Sequence, residues 1–199
     1  MNRAAWAAIS CQPRIGGKTL RQLLRHFDND LDAILSAYKP ALMKVRGVGP
    51  AIADSITAID MQVFDRAIER WQQQGVQMIL SQDADYPVAL MALDDEPPTL
   101  FLRGLWRPER LQPSVAVVGT RQASRKALSI AHEIGRRLGM VGRTVISGMA
   151  AGIDTAAHRG AIAAGGYTIA VLGSGVLRPY PPENGQLAQQ IMANGALIA

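Results

Sequence analysis

The chain holds a single cysteine, Cys11, which excludes an internal disulfide and a cysteine zinc cluster and fits a reducing cytoplasm. It has no run of uncharged apolar residues long enough to cross a bilayer, so neither a membrane span nor a membrane partner is expected. Residues 1–10 carry one basic residue and a short alanine-rich stretch, without a convincing cleavable signal. At 48% apolar and 19% charged the composition is that of a soluble, folded protein with a real core.

The most informative stretch runs from Ser147 to His158, directly after the β-branched run Thr144-Val145-Ile146. It passes through Gly148 and Gly152 into a small-residue helical segment, Thr155–Ala164. A strand that turns on glycines into a helix leaves backbone N–H groups at a positive helix end, a natural seat for phosphate. The spacing here is not the dinucleotide pattern G-x-G-x-x-G, and this turn lacks the Gly-Lys-Ser/Thr ending of a P-loop. The turn therefore suits an anion without being a standard cofactor site, and no cofactor is expected.

Charge points the same way. Residues 1–114 balance thirteen Lys/Arg against thirteen Asp/Glu, whereas residues 115–199 hold eight against three. The net charge of +5 thus lies wholly in the glycine-rich part, which suggests a polyanionic partner such as nucleic acid. For Arg125, Lys126, Arg136 and Arg137 a solvated helix face is an equal reading.

Three stretches differ in texture. Residues 1–74 read as short helices punctuated by Gly, Pro and Asp, at 4–10, 17–26, 31–37, 40–45, 50–59 and 62–73. Residues 75–113 hold a short strand candidate at 76–80, then turn-rich Asp85-Tyr86-Pro87, Pro97-Pro98 and Leu100–Gly104, and read as a linking layer. Residues 114–199 alternate: strands at 115–118, 144–146, 167–172 and 196–198, helices at 123–138, 155–164 and 182–192. Apolar strands alternating with helices imply an α/β fold, a parallel Rossmann-like sheet covered on both sides, with its ligand crevice at the carboxyl ends of the strands. Four strands make a small sheet, so the chain reads as part of a longer protein.

Within the helical part, Leu42–Ala53 resembles a helix-hairpin-helix, with Lys44, Arg46, Gly47 and Gly49 as a secondary nucleic-acid contact and Pro50 opening the second helix. A weaker copy lies at Arg14–Leu20. A compact packing hairpin is the competing reading. In the first βα turn, Gly119 ends the strand, Ser124 caps the next helix, and Arg121 sits where it can pair bidentately with phosphate or form a surface ion pair. In the third turn, Gly173 and Gly175 allow close approach, Tyr180 can stack on a base or pack on the core, and Arg178 is near for phosphate. Asp154 and His158 share a helix face but have no third ligand, so no metal is expected. Asp154 is better read as a helix cap and His158 as a packed histidine.

Together the three turns resemble the DNA-processing protein A family, also called Smf. Ser147-Gly148, Ala150, Gly152-Ile153-Asp154 and Ala157-His158 are similar to its S-G-x-A-x-G-I-D-x-x-A-H signature. Gly119, Arg121 and Ser124 are similar to its first turn, and Leu172-Gly173, Gly175, Tyr180-Pro181 and Asn184 to its third. The helical N-terminus resembles its helix-hairpin-helix, SAM-like domain. The chain departs from the pattern at Ala127, Leu177 and Gly185-Gln186, and the family's Rossmann domain continues past Ala199. The resemblance implies a non-enzymatic protein that binds single-stranded DNA, with Arg121 as the DNA-binding arginine. It also implies a homodimer of the full-length protein and loading of the RecA recombinase in natural transformation. The competing reading is a hydrolase of nucleotide-derived ligands, of the related phosphoribohydrolase type, and no Pro-Gly-Gly-x-Gly-Thr segment supports it. A third is a protein-interaction module that uses the N-terminal helices.

Overall fold

A computed structural model describes residues 2–199. The order is α1 (Arg3–Ser10), α2 (Gly17–His26), α3 (Leu31–Ser36), α4 (Lys39–Leu42), α5 (Pro50–Thr57), α6 (Met61–Gln73), β1 (Val76–Leu80), α7 (Val88–Met91) and β2 (Thr99–Gly104). It continues with β3 (Ser114–Ala116), α8 (Arg125–Met140), β4 (Thr144–Ser147), α9 (Ile153–Ala163), β5 (Thr168–Val171), α10 (Gly185–Asn194) and β6 (Gly195–Ile198). Two compact units result, one of residues 1–74 with 79–100, the other of 75–78 with 101–199. No helix among the described residues is long and apolar enough to cross a membrane.

The helical unit is set by short polar caps on apolar-faced segments. Asn2 accepts from the Ala5 N–H, Asp30 from Asp32 and Ala33, and Asp60 from Gln62, so α1, α3 and α6 each start on a side-chain oxygen. Ile9, Leu20, Leu23, Ile34, Leu42 and Ile56 are buried at 1% exposure or less and form the core. Tyr86 is buried within residues 79–100, and its hydroxyl donates to the Pro97 carbonyl at 2.6 Å. A bond of this kind gives the segment's prolines and tyrosine a structural job.

The sheet has the order β1-β2-β6-β5-β4-β3. β3, β4, β5 and β6 are parallel, with Val115 beside Val145, Ile146 beside Ile169 and Ala170 beside Leu197. β2 joins antiparallel, Leu102 facing Ile198. The sheet thus has six strands where four were expected, because the strand candidate at 76–80 joins it as β1 and Leu100-Phe101-Leu102 pairs as β2 rather than turning. Its prolines stand just ahead of the strand, where no ladder N–H is needed. β3 also departs from expectation. An apolar run read as covered on both sides is the exposed edge, with Val115 at 37% and Val118 at 71% exposure.

α8 and α9 meet backbone to backbone. A Cβ on Gly135 would stand 2.1 Å from the Ala157 carbonyl oxygen, and one on Gly160 would stand 2.0 Å from that of His132. Small residues on both helices let α9 press α8 close, over Val145 and Ala161. Gly135→Val is expected to force the pair apart, at a cost of at least about 2 kcal/mol, and to lower the Tm by about 4–8 °C. Thermal unfolding followed by circular dichroism checks this; an unchanged Tm would mean that the helices do not meet at this residue.

Candidate nucleic-acid interface

The turns after β3, β4 and β5 converge on one cavity of about 320 Å3, lined by Arg121, Gly148, Ala150, Ala151, Leu172, Gly173, Ser174, Tyr180 and Pro181. Parallel strands end on the same side of a sheet, so their loops gather at one edge. The first turn is locked onto the second. Gly152 has φ +87, its Cβ would lie 2.3 Å from the Thr120 carbonyl, and the Ile153 N–H donates to that carbonyl at 3.3 Å. Only glycine meets both demands. Arg121 therefore lies on the same side as residues 148–151, is exposed, and forms no salt bridge among the described residues.

Asp154 does more than the cap expected of it. The residue that caps α9 is Gly152, and Asp154 lies in the helix's first turn. Its carboxylate is 6% exposed, and Oδ2 accepts from the Gly148 N–H at 3.1 Å and from Ala150 at 3.4 Å. These are two of the amides that the sequence offers to phosphate, and the chain supplies an anion of its own to hold them. The reason is local: once Gly152 turns the chain back, a carboxylate two residues later reaches the start of the loop.

Asn184 is buried and closes the clasp from the third turn. Its Nδ2 donates to the Met149 carbonyl at 2.9 Å and to Thr155 Oγ1 at 2.8 Å, while the Thr155 hydroxyl donates to the Ala150 carbonyl at 2.7 Å. Met149 at φ +57 is a non-glycine residue in the left-handed region, with a fully buried side chain, and these bonds hold it there. Ser147, also buried, donates to the Val117 carbonyl at 2.6 Å and ties the end of β4 to the strand beside it.

The remaining candidates separate by position. Ser124 caps α8 by accepting from Ala127, and Gly119 packs where a Cβ would stand 2.6 Å from Ile153 Cγ1. Gly175 bends the third turn at φ +84, and Arg178 is exposed but does not line the cavity. Lys44, Arg46, Gly47 and Gly49 belong to the helical unit. On α8, Arg136 and Arg137 both bond to Glu133, at 2.7 Å each, and hold its carboxyl down at about 2. The two guanidinium groups share this one carboxylate, which offsets one of their two charges. Ala151, Leu172, Ser174 and Pro181 also line the cavity; the resemblance named Leu172 and Pro181, and only adjacency to the glycine turns marked Ala151 and Ser174.

His158 is fully buried. The Thr168 hydroxyl donates to the Val145 carbonyl at 2.8 Å, so at 2.7 Å from the ring it accepts from Nδ1–H, and Nε2 is left without a partner. Burial pushes the imidazole down to about 4, and the Asp154 carboxylate and the Ser147 backbone, which favour the charged ring, do not offset it. No group of three or more His, Cys, Asp or Glu among the described residues could hold a metal ion.

A largely parallel sheet whose glycine turns gather at one edge around a cavity lined by Arg121 defines a Rossmann-like domain. Residues 77–199 match the model of DNA recombination-mediator protein A. The chain is 34% identical to protein Smf of Synechocystis over 99% of its own length and 50% of that protein's, and 39% identical to DNA processing protein DprA of Streptococcus pneumoniae over 58% and 40%. The X-ray structure of the pneumococcal DprA superposes with a TM-score of 0.76 at 26% identity, over 98% of this chain and 66% of that one. DNA processing protein A of Helicobacter pylori, whose structure was described for its single-stranded DNA binding mode, gives 0.54 at 26% identity, over 62% and 54%. The chain belongs to the DNA recombination-mediator protein A family, and it spans about half the length of the curated relatives it matches.

Two outcomes follow from the clasp. Asp154→Ala leaves Gly148 and Ala150 without their acceptor and is expected to cost about 2–4 kcal/mol, read as a fall in urea midpoint; an unchanged midpoint would deny the clasp its structural role. Between pH 6.5 and about 4 the unfolded chain takes up a proton at His158 that the folded chain refuses. Its contribution is therefore intact above pH 6.5 and lost as the pH falls, by about 3 kcal/mol near pH 4. Comparing wild type with His158→Gln in urea across this range should show the shallower pH slope in the variant.

Proposed function

We propose that the chain binds single-stranded DNA at the cavity formed by the three strand-end turns, as a DNA-processing protein without catalytic chemistry of its own. The observation that carries this reading is the convergence of an unpaired Arg121 with residues 148–151, 173–174 and Tyr180. A guanidinium at the mouth pairs with a phosphate bidentately. Tyr180, 61% exposed, offers its ring for a base to stack on. The cavity volume lies at the lower end of the range for small-molecule pockets, about 300–1,000 Å3, which suits one nucleotide of a passing strand better than an enclosed dinucleotide. Hydrolysis of a nucleotide-derived ligand would need an acidic group poised over the ribose. The cavity lining holds no carboxylate, and neighbouring Asp154 is engaged by its own loop.

The H. pylori relative described as binding single-stranded DNA and the recombination-mediator family support the same reading. On this reading Gly119, Ser124, Ser147, Gly148, Gly152, Asp154, Gly175 and Asn184 shape the turns, and Arg121, Gly173, Tyr180 and Arg178 meet the strand. The protein acts in the cytoplasm, as a homodimer in its full length, and delivers the strand to RecA.

Fluorescence titration with oligo-dT at several salt concentrations tests the contact. Log affinity is expected to fall linearly with log salt, and Arg121→Ala to weaken binding about tenfold and flatten the slope by about 0.7–1. Binding insensitive to salt, or untouched by Arg121→Ala, would overturn the assignment.

A further inference from the structure

The helical unit has a cavity of its own, about 650 Å3 in volume. Part of its lining comes from α2, the rest from residues 93–95 ahead of β2. Positions 18, 21, 22 and 25 follow the helical repeat, so Lys18, Arg21 and Arg25 lie on one face of α2. Two contacts hold this helix against the segment that carries Asp94 and Asp95. Gly16, like Gly49, would meet nothing within 4 Å if it bore a Cβ, but Gly17 differs. A Cβ on Gly17 would stand 1.9 Å from the Glu96 carbonyl oxygen and 3.0 Å from that of Asp95, so α2 lies against bare main chain. One turn on, Arg21 Nη1 donates to Glu96 at 3.1 Å.

The charges around this cavity do not satisfy one another. Lys18, Arg25, Asp94 and Asp95 are exposed, and none of them forms a salt bridge among the described residues, although all four line the same space. Arg21 is engaged on one nitrogen only: its Nη2 is buried and has no hydrogen-bond partner. A buried donor left unmade is costly, and an acceptor brought to the cavity relieves it. The lining therefore offers cationic donors from α2 and free carboxylate acceptors from Asp94 and Asp95 at once. It includes no aromatic ring among the described residues.

We propose that this cavity binds a free ribonucleotide, its phosphate on Lys18, Arg21 and Arg25 and its ribose hydroxyls on Asp94 and Asp95. Guanidinium and ammonium groups pair with phosphate oxygens, and a carboxylate accepts from sugar hydroxyls as the acidic residue of a dinucleotide site does. The volume falls within the range of small-molecule pockets, about 300–1,000 Å3. A nucleic-acid strand is a poor occupant, because its continuous line of phosphates would be repelled by the two carboxylates. Without a ring to stack on, the base is not selected. The cavity lies in the other unit from Arg121 and does not depend on the single-strand reading.

Isothermal titration calorimetry of the full chain tests this with four probes: adenosine monophosphate, uridine monophosphate, deoxyadenosine monophosphate and inorganic phosphate. The two ribonucleotides are expected to bind within about threefold of each other. The deoxy analogue, one hydroxyl short, should bind about threefold to tenfold more weakly, and inorganic phosphate more weakly still. Lys18→Gln with Arg25→Gln should weaken every probe, adenosine monophosphate by about tenfold. Asp94→Ala with Asp95→Ala should weaken the ribonucleotides about fivefold and leave inorganic phosphate no weaker, since a repelling charge is gone. Circular dichroism checks that both double variants fold. Arg121→Ala, in the other unit, should leave adenosine monophosphate within about twofold of the parent. The proposal is overturned if adenosine monophosphate does not bind, if the deoxy analogue binds as tightly, or if folded double variants bind like the parent. It also fails if inorganic phosphate binds as tightly as the nucleotide, which would mark an adventitious ion only, or if Arg121→Ala abolishes nucleotide binding.

Discussion

The bond from Asp154 to the amides of Gly148 and Ala150 fixes the path of the loop after β4, and the neighbouring turns are shaped around that path. Gly152 can approach the Thr120 and Arg121 carbonyls because the carboxylate two residues on pulls the loop back beneath it. Asn184 then reaches across from the third turn to the carbonyl of strained Met149. These contacts lie among buried residues, where a lost partner costs more than a made bond contributes. Rigidity at the cavity floor is a consequence, and it places Arg121 without any ion pair holding the guanidinium itself.

Beneath the turns, the glycine contact between α8 and α9 plays the matching role for the scaffold. Backbone-level packing at Gly135 and Gly160 leaves little room for the helices to shift. Because α9 begins at the clasp and lies against α8, the helix that carries Asp154 is steadied along its length. His158, one turn further on, is buried on the same helix with its Nδ1 committed to Thr168. The helix that carries Asp154 is thus itself an acid-sensitive element of the fold.

Much of this was legible in the sequence, and the gaps have identifiable causes. Alternating apolar strands and helices from residue 114 announced a parallel sheet, and the spacing of Gly119, Gly148–Gly152 and Gly173–Gly175 placed its turns at one end. β2 escaped because its ladder partner, β6, lies over ninety residues away, and no local pattern reports a distant partner. β3 escaped for the opposite reason: Val115–Val118 has the composition of a covered strand, but whether a neighbour covers it is not a property of those residues. Asp154 was visible as a candidate cap, since a carboxylate near a helix start commonly takes that role. That it reaches back to residues 148 and 150 depends on the left-handed turn at Gly152. Which glycines serve packing and which lie open, as at 16 and 49, likewise needs the neighbours' coordinates.

Loop amides already engaged by the protein's own carboxylate change what the fold can recognise. In a dinucleotide-binding Rossmann turn, main-chain N–H groups at the helix start hold the ligand's pyrophosphate, and the ligand's shape follows the loop. Here Asp154 occupies two such groups, and a second anion drawn to the same spot would meet its charge as well as a blocked donor. On the proposed reading an incoming phosphate is therefore held further out, by a side chain in contact with solvent. Arg121 is the exposed cation that lines the cavity, and Tyr180, also exposed, lines it as well. Contacts of this outer kind grip a backbone loosely, depend on salt, and give little preference among bases. If the proposed function holds, those properties let the surface hold a strand of any sequence and then release it.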